Sequence, residues 1–184
     1  AAQGSSISDD RGTRQGTLLV SQGTQATMTL PDGRTAPVTD LHVRITEFTV
    51  PYEKSRPRDP YLDGKGRVWF VGQVGNYVAY YDQAKAEFKR YELDAGVNPH
   101  NLIVDKQGTV WYAGNQAAHI GKLDPATGKI VKYPMPDPAA KDPHTLVFDT
   151  KGHIWFTVQG GNMVGRLNMT TGKVDLVKMT RDGA

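Results

Sequence analysis

The tryptophans Trp69, Trp111 and Trp155 stand 42 and 44 residues apart, and the stretches around them can be laid over one another almost residue for residue. Residues 142–179 (DPHTLVFDTKGHIWFTVQGGNMVGRLNMTTGKVDLVKM) follow the plan of residues 98–135 and of residues 56–93. Self-similarity at a period near 40 residues marks a repeat architecture. Its unit cannot bury its own apolar face and must stack on its neighbours. The period constrains the fold more than any single residue does.

Each unit reads as four short strands. A first apolar run (residues 102–104 or 146–148) ends in Asp. The turns Asp105-Lys-Gln-Gly108 and Asp149-Thr-Lys-Gly152 then lead into a second run built on Trp and a second aromatic. Asp and Gly suit a tight hairpin, because Gly accepts positive φ and Asp bonds back to its own backbone. A third run (residues 119–123, 163–167), a second turn (Asp124-Pro-Ala-Thr-Gly128, Asn168-Met-Thr-Thr-Gly172) and an outer run such as residues 129–133 complete the unit. Short β-rich runs punctuated every 8–12 residues, without a sustained helical period, indicate an all-β plan. Four strands per repeat of ~40 residues is the blade of a β-propeller.

The expected organisation is therefore a flexible segment over residues 1–16, a small β-hairpin element over 17–40, and propeller blades over 41–184, at about 56–93, 94–135 and 136–179. Residues 1–16 carry too little apolar surface to offset the entropy of ordering them. Pro31-Asp-Gly-Arg34 is the turn of the hairpin, and residues 41–50 alternate like an outer strand that precedes the first blade. Three blades cannot close around a channel, and they leave apolar inter-blade faces that invite association. The chain is thus expected either to be part of a longer propeller or to complete its core with a second copy or another protein.

Composition removes several function classes. With no Cys there is no disulfide, thiolate metal site or cysteine nucleophile. The net charge of +3 comes from scattered Lys and Arg, whereas a nucleic-acid surface needs a basic stripe. No apolar run approaches the ~20 residues of a membrane span. The opening Ala-Ala-Gln-Gly-Ser-Ser has the small residues found after cleavage of an exported precursor, so a secreted or periplasmic location is expected.

The units resemble those of the virginiamycin B lyase (streptogramin lyase) family. The resemblance rests on Pro-His at the first strand and Trp-Phe-Thr or Trp-Tyr-Ala on the second. It continues through Ile-Gly-Lys-Leu-Asp-Pro-Ala-Thr-Gly on the third strand and turn and Lys-Tyr-Pro-Met at the end. It covers roughly residues 41–179 and implies a seven-bladed propeller. It also implies an enzyme that opens a cyclic depsipeptide at its ester by elimination, with a His as base and a magnesium ion held by Glu and His at the channel mouth. Related propellers serve as lactonases, binding scaffolds and extracellular sensor domains, and fold does not fix function.

Arg58, His100 and His144 occupy equivalent positions at the start of the innermost strand, where side chains of successive blades converge. Histidine suits a general base because its pKa lies near neutral pH. Pro-His at a strand start also has a structural use, the imidazole capping turn carbonyls. Where the lyases show Trp-Phe-Thr-Glu, this chain has Gly72, Gly114 and Val158, with the amides Gln73, Asn115 and Gln159 one residue later. Amides are poor ligands for a hard cation, so no metal is assigned, and magnesium is expected only if further blades supply ligands. The amides remain candidates for binding a polar ligand. Trp69, Trp111 and Trp155 read as inter-blade core, Asp63, Asp105 and Asp149 as turn-formers, His119 as a packing position, His153 as exposed and His42 as unpartnered. Two functions stay open: a lyase-like or lactone-opening enzyme acting on a small cyclic ester with His144 or His100 as base, and a non-catalytic propeller module that binds a ligand or a protein.

Overall fold

The computed structural model describes residues 2–9, 12–19, 21–38 and 48–180. It divides into two compact units, Ala1–Thr49 and Val50–Ala184. The first holds three two-stranded antiparallel ladders. β1 (Ala2–Gln3) pairs with β4 (Thr17–Leu18), β2 (Ile7–Asp9) with β3 (Gly12–Arg14), and β5 (Ala26–Thr29) with β6 (Thr35–Val38). The last pair is the hairpin that Pro31-Asp-Gly-Arg34 predicts. Gly33 takes φ +84° in its turn, and the Asp32 carboxylate accepts from the Arg34 amide at 3.0 Å.

The second unit carries three four-stranded antiparallel sheets in simple sequential order. Blade 1 is β7 (Pro57–Leu62), β8 (Arg67–Gly72), β9 (Tyr77–Asp82) and β10 (Glu87–Glu92). Blade 2 is β11 (Leu102–Val104), β12 (Val110–Gly114), β13 (His119–Leu123) and β14 (Ile130–Pro134). Blade 3 is β15 (Pro143–Phe148), β16 (His153–Val158), β17 (Met163–Asn168) and β18 (Val174–Lys178). The all-β propeller blades read from the period are thus present. The outer strand expected over residues 41–50 falls mostly on residues 41–47, which lie outside the described residues, as does His42.

Alternation along the strands places one face of each sheet on each neighbour. Trp69, Val71 and Val78 of blade 1 pack with Leu102, Tyr112 and Leu123 of blade 2. Trp111 and Ile120 of blade 2 pack in the same way with Ile154, Phe156 and Leu167 of blade 3. Each fully buried aromatic or aliphatic side chain contributes roughly 1.5–3 kcal/mol through the water it sheds, so these two seams hold the three blades together. Gly165 faces the Phe156 ring so closely that a Cβ there would overlap it, so only glycine fits opposite Phe156 in the β16–β17 ladder.

One aspartate per repeat fastens the turn to the tryptophan. The indole N–H of Trp69 donates to Asp63 at 2.8 Å, that of Trp111 to Asp105 at 3.0 Å and that of Trp155 to Asp149 at 3.0 Å. The same carboxylates accept from turn amides, which in the first repeat belong to Lys65 and Arg67. The turn role was legible in Asp-x-x-Gly. The indole bond was not, although the constant Asp-to-Trp spacing was its trace.

Two expectations about the blade faces need correction. The face of blade 1 that lacks a preceding blade is not bare: Phe70, Tyr77 and Ala79 are buried, with Val50, Tyr52 and Phe88 packed on them. Among the described residues Trp155 belongs to none of the buried inter-blade clusters. It is 38% exposed, beside the exposed Val147 and Val177. His153, expected to be exposed, is half-buried and places Nδ1 2.9 Å from Asp149 Oδ2.

Candidate functional site

The first strands of successive blades, β7, β11 and β15, run beside one another, so repeat-equivalent side chains at their starts meet. The backbone there is unusual in every repeat. Arg56, Asn98 and Asp142 adopt positive φ of 47°, 42° and 56° two residues before Arg58, His100 and His144. The ladders of blades 1 and 3 shift register between Arg58 and Tyr61 and between Pro143 and Leu146. Such bulges re-aim side chains, and here they turn a set of polar groups towards one another.

His100 and His144 are in direct contact, with ring centroids 3.3 Å apart and planes tilted by 35°. His100 is 5% exposed and His144 half-buried. His144 Nδ1 lies 3.0 Å from Thr145 Oγ1. His100 Nδ1 is 3.6 Å from Asp59 Oδ2, an ion-pair distance but too long for a hydrogen bond, and it has no hydrogen-bond partner. Arg58 donates to Gln73 Oε1 at 3.2 Å.

Burial disfavours the imidazolium of His100, and the neighbouring His144 and Arg58 add repulsion, only partly offset by Asp59. Its pKa is lowered to about 4. His144 is also lowered, first by burial and then by Arg58, against the pull of Asp59 and Asp142. Both rings are therefore neutral at neutral pH, with a lone pair apiece for a proton.

The amides fall differently. Gln73 is bonded to Arg58. Asn115 donates to the carbonyl of Pro143, directly before His144, at 3.3 Å. Gln159 is exposed in a 3₁₀ turn, Gln159–Gly161, and its backbone amide donates to Asp142 at 3.0 Å. It makes no side-chain hydrogen bond to the histidine pair among the described residues.

Sequence reading missed two members. Asn101 bridges the blades, donating to Asp59 Oδ2 at 3.4 Å and accepting from the Leu146 amide at 2.9 Å. Asp59, itself at φ 48°, lies beside both Asn101 and His100. The available signal was the polar residue that follows the aligned position in every repeat: Asp59, Asn101 and Thr145.

Among the described residues, no three His, Asp or Glu side chains are grouped to hold an ion. Two imidazoles and neutral amides do not by themselves make a magnesium donor set, so that ion would need ligands from further blades.

In structure the chain is similar to virginiamycin B lyase from Staphylococcus aureus, at TM-score 0.70 and 19% identity over 96% of this chain and 63% of that one. It is equally similar to a streptogramin B lyase, at TM-score 0.71 and 22% identity over 96% and 62% of the two chains. The chain has the virginiamycin B lyase-like propeller fold. A more distant propeller occurs in a nidogen/laminin complex, at TM-score 0.60 and 12% identity over 81% and 54%. The chain spans a little over three fifths of the length of the two lyases. No family model matches the sequence, and no curated protein matches it significantly. Among the described residues no helix is long and apolar enough to cross a membrane.

Proposed function

We propose that this propeller opens a small cyclic ester, using His144 or its partner His100 as base. The observation that carries the reading is the contact of two neutral imidazoles from neighbouring blades beside Arg58. A neutral imidazole takes the proton from the carbon next to a carbonyl. The C–O bond of the ester breaks, its electron pair leaves with the carboxylate, and a C=C bond forms. Arg58 then stabilises the negative charge that develops, a role worth several kcal/mol in a preorganised site. Gln73 holds Arg58, and Asn101 ties Asp59 to the start of the third inner strand.

A second reading is a non-catalytic module, favoured by Gly72, Gly114 and Val158 at the position of the lyase Glu. In that case Arg58, Gln73 and the histidines bind a polar ligand without turning it over. In either case the exposed Trp155, Val147 and Val177 support association with a further blade-like sheet. Turnover of a cyclic ester by the intact chain, and its loss in His144→Ala or His100→Ala, distinguishes the enzyme from the module.

A further inference from the structure

A cleft lies at the other end of the inner strands from the histidine pair. Its walls are the hairpin turns that join β7 to β8 and β11 to β12, and it encloses about 450 Å³, within the usual range of small-ligand sites. Tyr61, Leu62 and Val104 give it an apolar floor, and Leu62 is 63% exposed there although it ends an inner strand. Its two carboxylates are engaged by the fold. Asp63 accepts from the amides of Lys65 and Arg67, from the Arg67 guanidinium at 2.7 Å and from the Trp69 indole. Asp105 accepts from the amides of Gln107 and Thr109 and from the Trp111 indole. Arg67 is committed as well, paired with Asp63 and laid over the Trp69 and Tyr80 rings.

The charges left over are the ammonium groups of Lys65 and Lys106, one on each turn. Both residues are exposed, and neither side chain has an ion-pair partner among the described residues. We infer that this cleft is a second ligand site, for a small organic anion with its carboxylate or phosphate between Lys65 and Lys106 and its apolar body on Leu62, Tyr61 and Val104. An ammonium is a compact charge suited to either headgroup. Attraction alone is screened by salt at this exposure, so the apolar floor must add to it. The site is separate from the histidine pair and does not depend on what that pair does.

The test is an amide NMR titration of the intact chain with phenyl phosphate and, separately, with benzoate, inorganic phosphate and benzyl alcohol. Phenyl phosphate or benzoate should shift residues 64–67 and 106–108 saturably below ~10 mM. Inorganic phosphate and benzyl alcohol should each bind at least about tenfold more weakly, since each lacks one half of the recognition. The variant Lys65→Glu/Lys106→Glu should keep its folded spectrum and lose binding at least about tenfold, and Leu62→Ser should weaken both aromatic anions. The relative strength of phenyl phosphate and benzoate then identifies the preferred headgroup. No saturable shift in these turns for either aromatic anion, equal binding by the charge-reversed variant, or equal binding of inorganic phosphate or benzyl alcohol would overturn the inference.

Discussion

His100 and His144, one repeat apart in sequence, touch through their imidazole rings at 3.3 Å, and the nearby Arg58 helps keep both unprotonated. The contact makes the fold's stability depend on pH. His100 has a folded pKa of about 4 against an ordinary 6.5, so the unfolded chain takes up its proton first as pH falls. The full stability is present above about pH 6.5 and is lost as pH drops towards 4, by up to roughly 3 kcal/mol for this group. Urea unfolding of the parent and of His100→Asn across that window should show a flatter pH dependence in the variant. Parallel curves would remove His100 as the source.

The turn between the third and fourth strands of each repeat has a left-handed position. Gly128 and Gly172 fill it with φ 74° in blades 2 and 3, but blade 1 places Ala86 there at φ 54°. Ala86 is exposed and bears the steric cost of that conformation without compensation. Ala86→Gly should therefore stabilise the chain by roughly 1 kcal/mol, a few degrees in Tm, although glycine usually destabilises a strand protein. A lower Tm by calorimetry would contradict the assigned backbone.

The three equivalent tryptophans should respond unequally. Trp111→Ala opens a cavity in the seam between blades 2 and 3 and should cost about 3–5 kcal/mol. Trp155→Ala should cost much less, because its side chain is 38% exposed. Sedimentation should show association of the parent chain, weakened by Trp155→Arg. A compact monomer at micromolar concentration in the parent would contradict the proposed association.

Much of the fold was legible because its signals are local. Asp-x-x-Gly turns, Trp-aromatic second strands and the ~40-residue period are each set within one blade, and each blade obeys them. What escaped the sequence is set between blades. Nothing near Trp155 reveals that it is exposed, and nothing near Phe70 reveals that Val50 and Tyr52 pack on it. The site divides in the same way. Alignment of the repeats puts Arg58, His100 and His144 at equivalent places, but Asp59 and Asn101 act through bulges and cross-blade bonds that no single repeat displays. Gln159 aligns with Gln73 and Asn115, yet it lies exposed in a 3₁₀ turn peculiar to blade 3.

The most direct measurement is turnover of a cyclic depsipeptide or lactone by the intact chain, followed by mass spectrometry, beside His144→Ala and His100→Ala. An elimination leaves the mass of the opened product unchanged, whereas hydrolysis adds one water. The account predicts opening without added mass in the parent and a loss of about 10²–10⁴-fold in at least one variant, the usual contribution of a general base. Unchanged turnover in both variants would contradict the role of the histidine pair, and no turnover in the parent would leave the ligand-binding module.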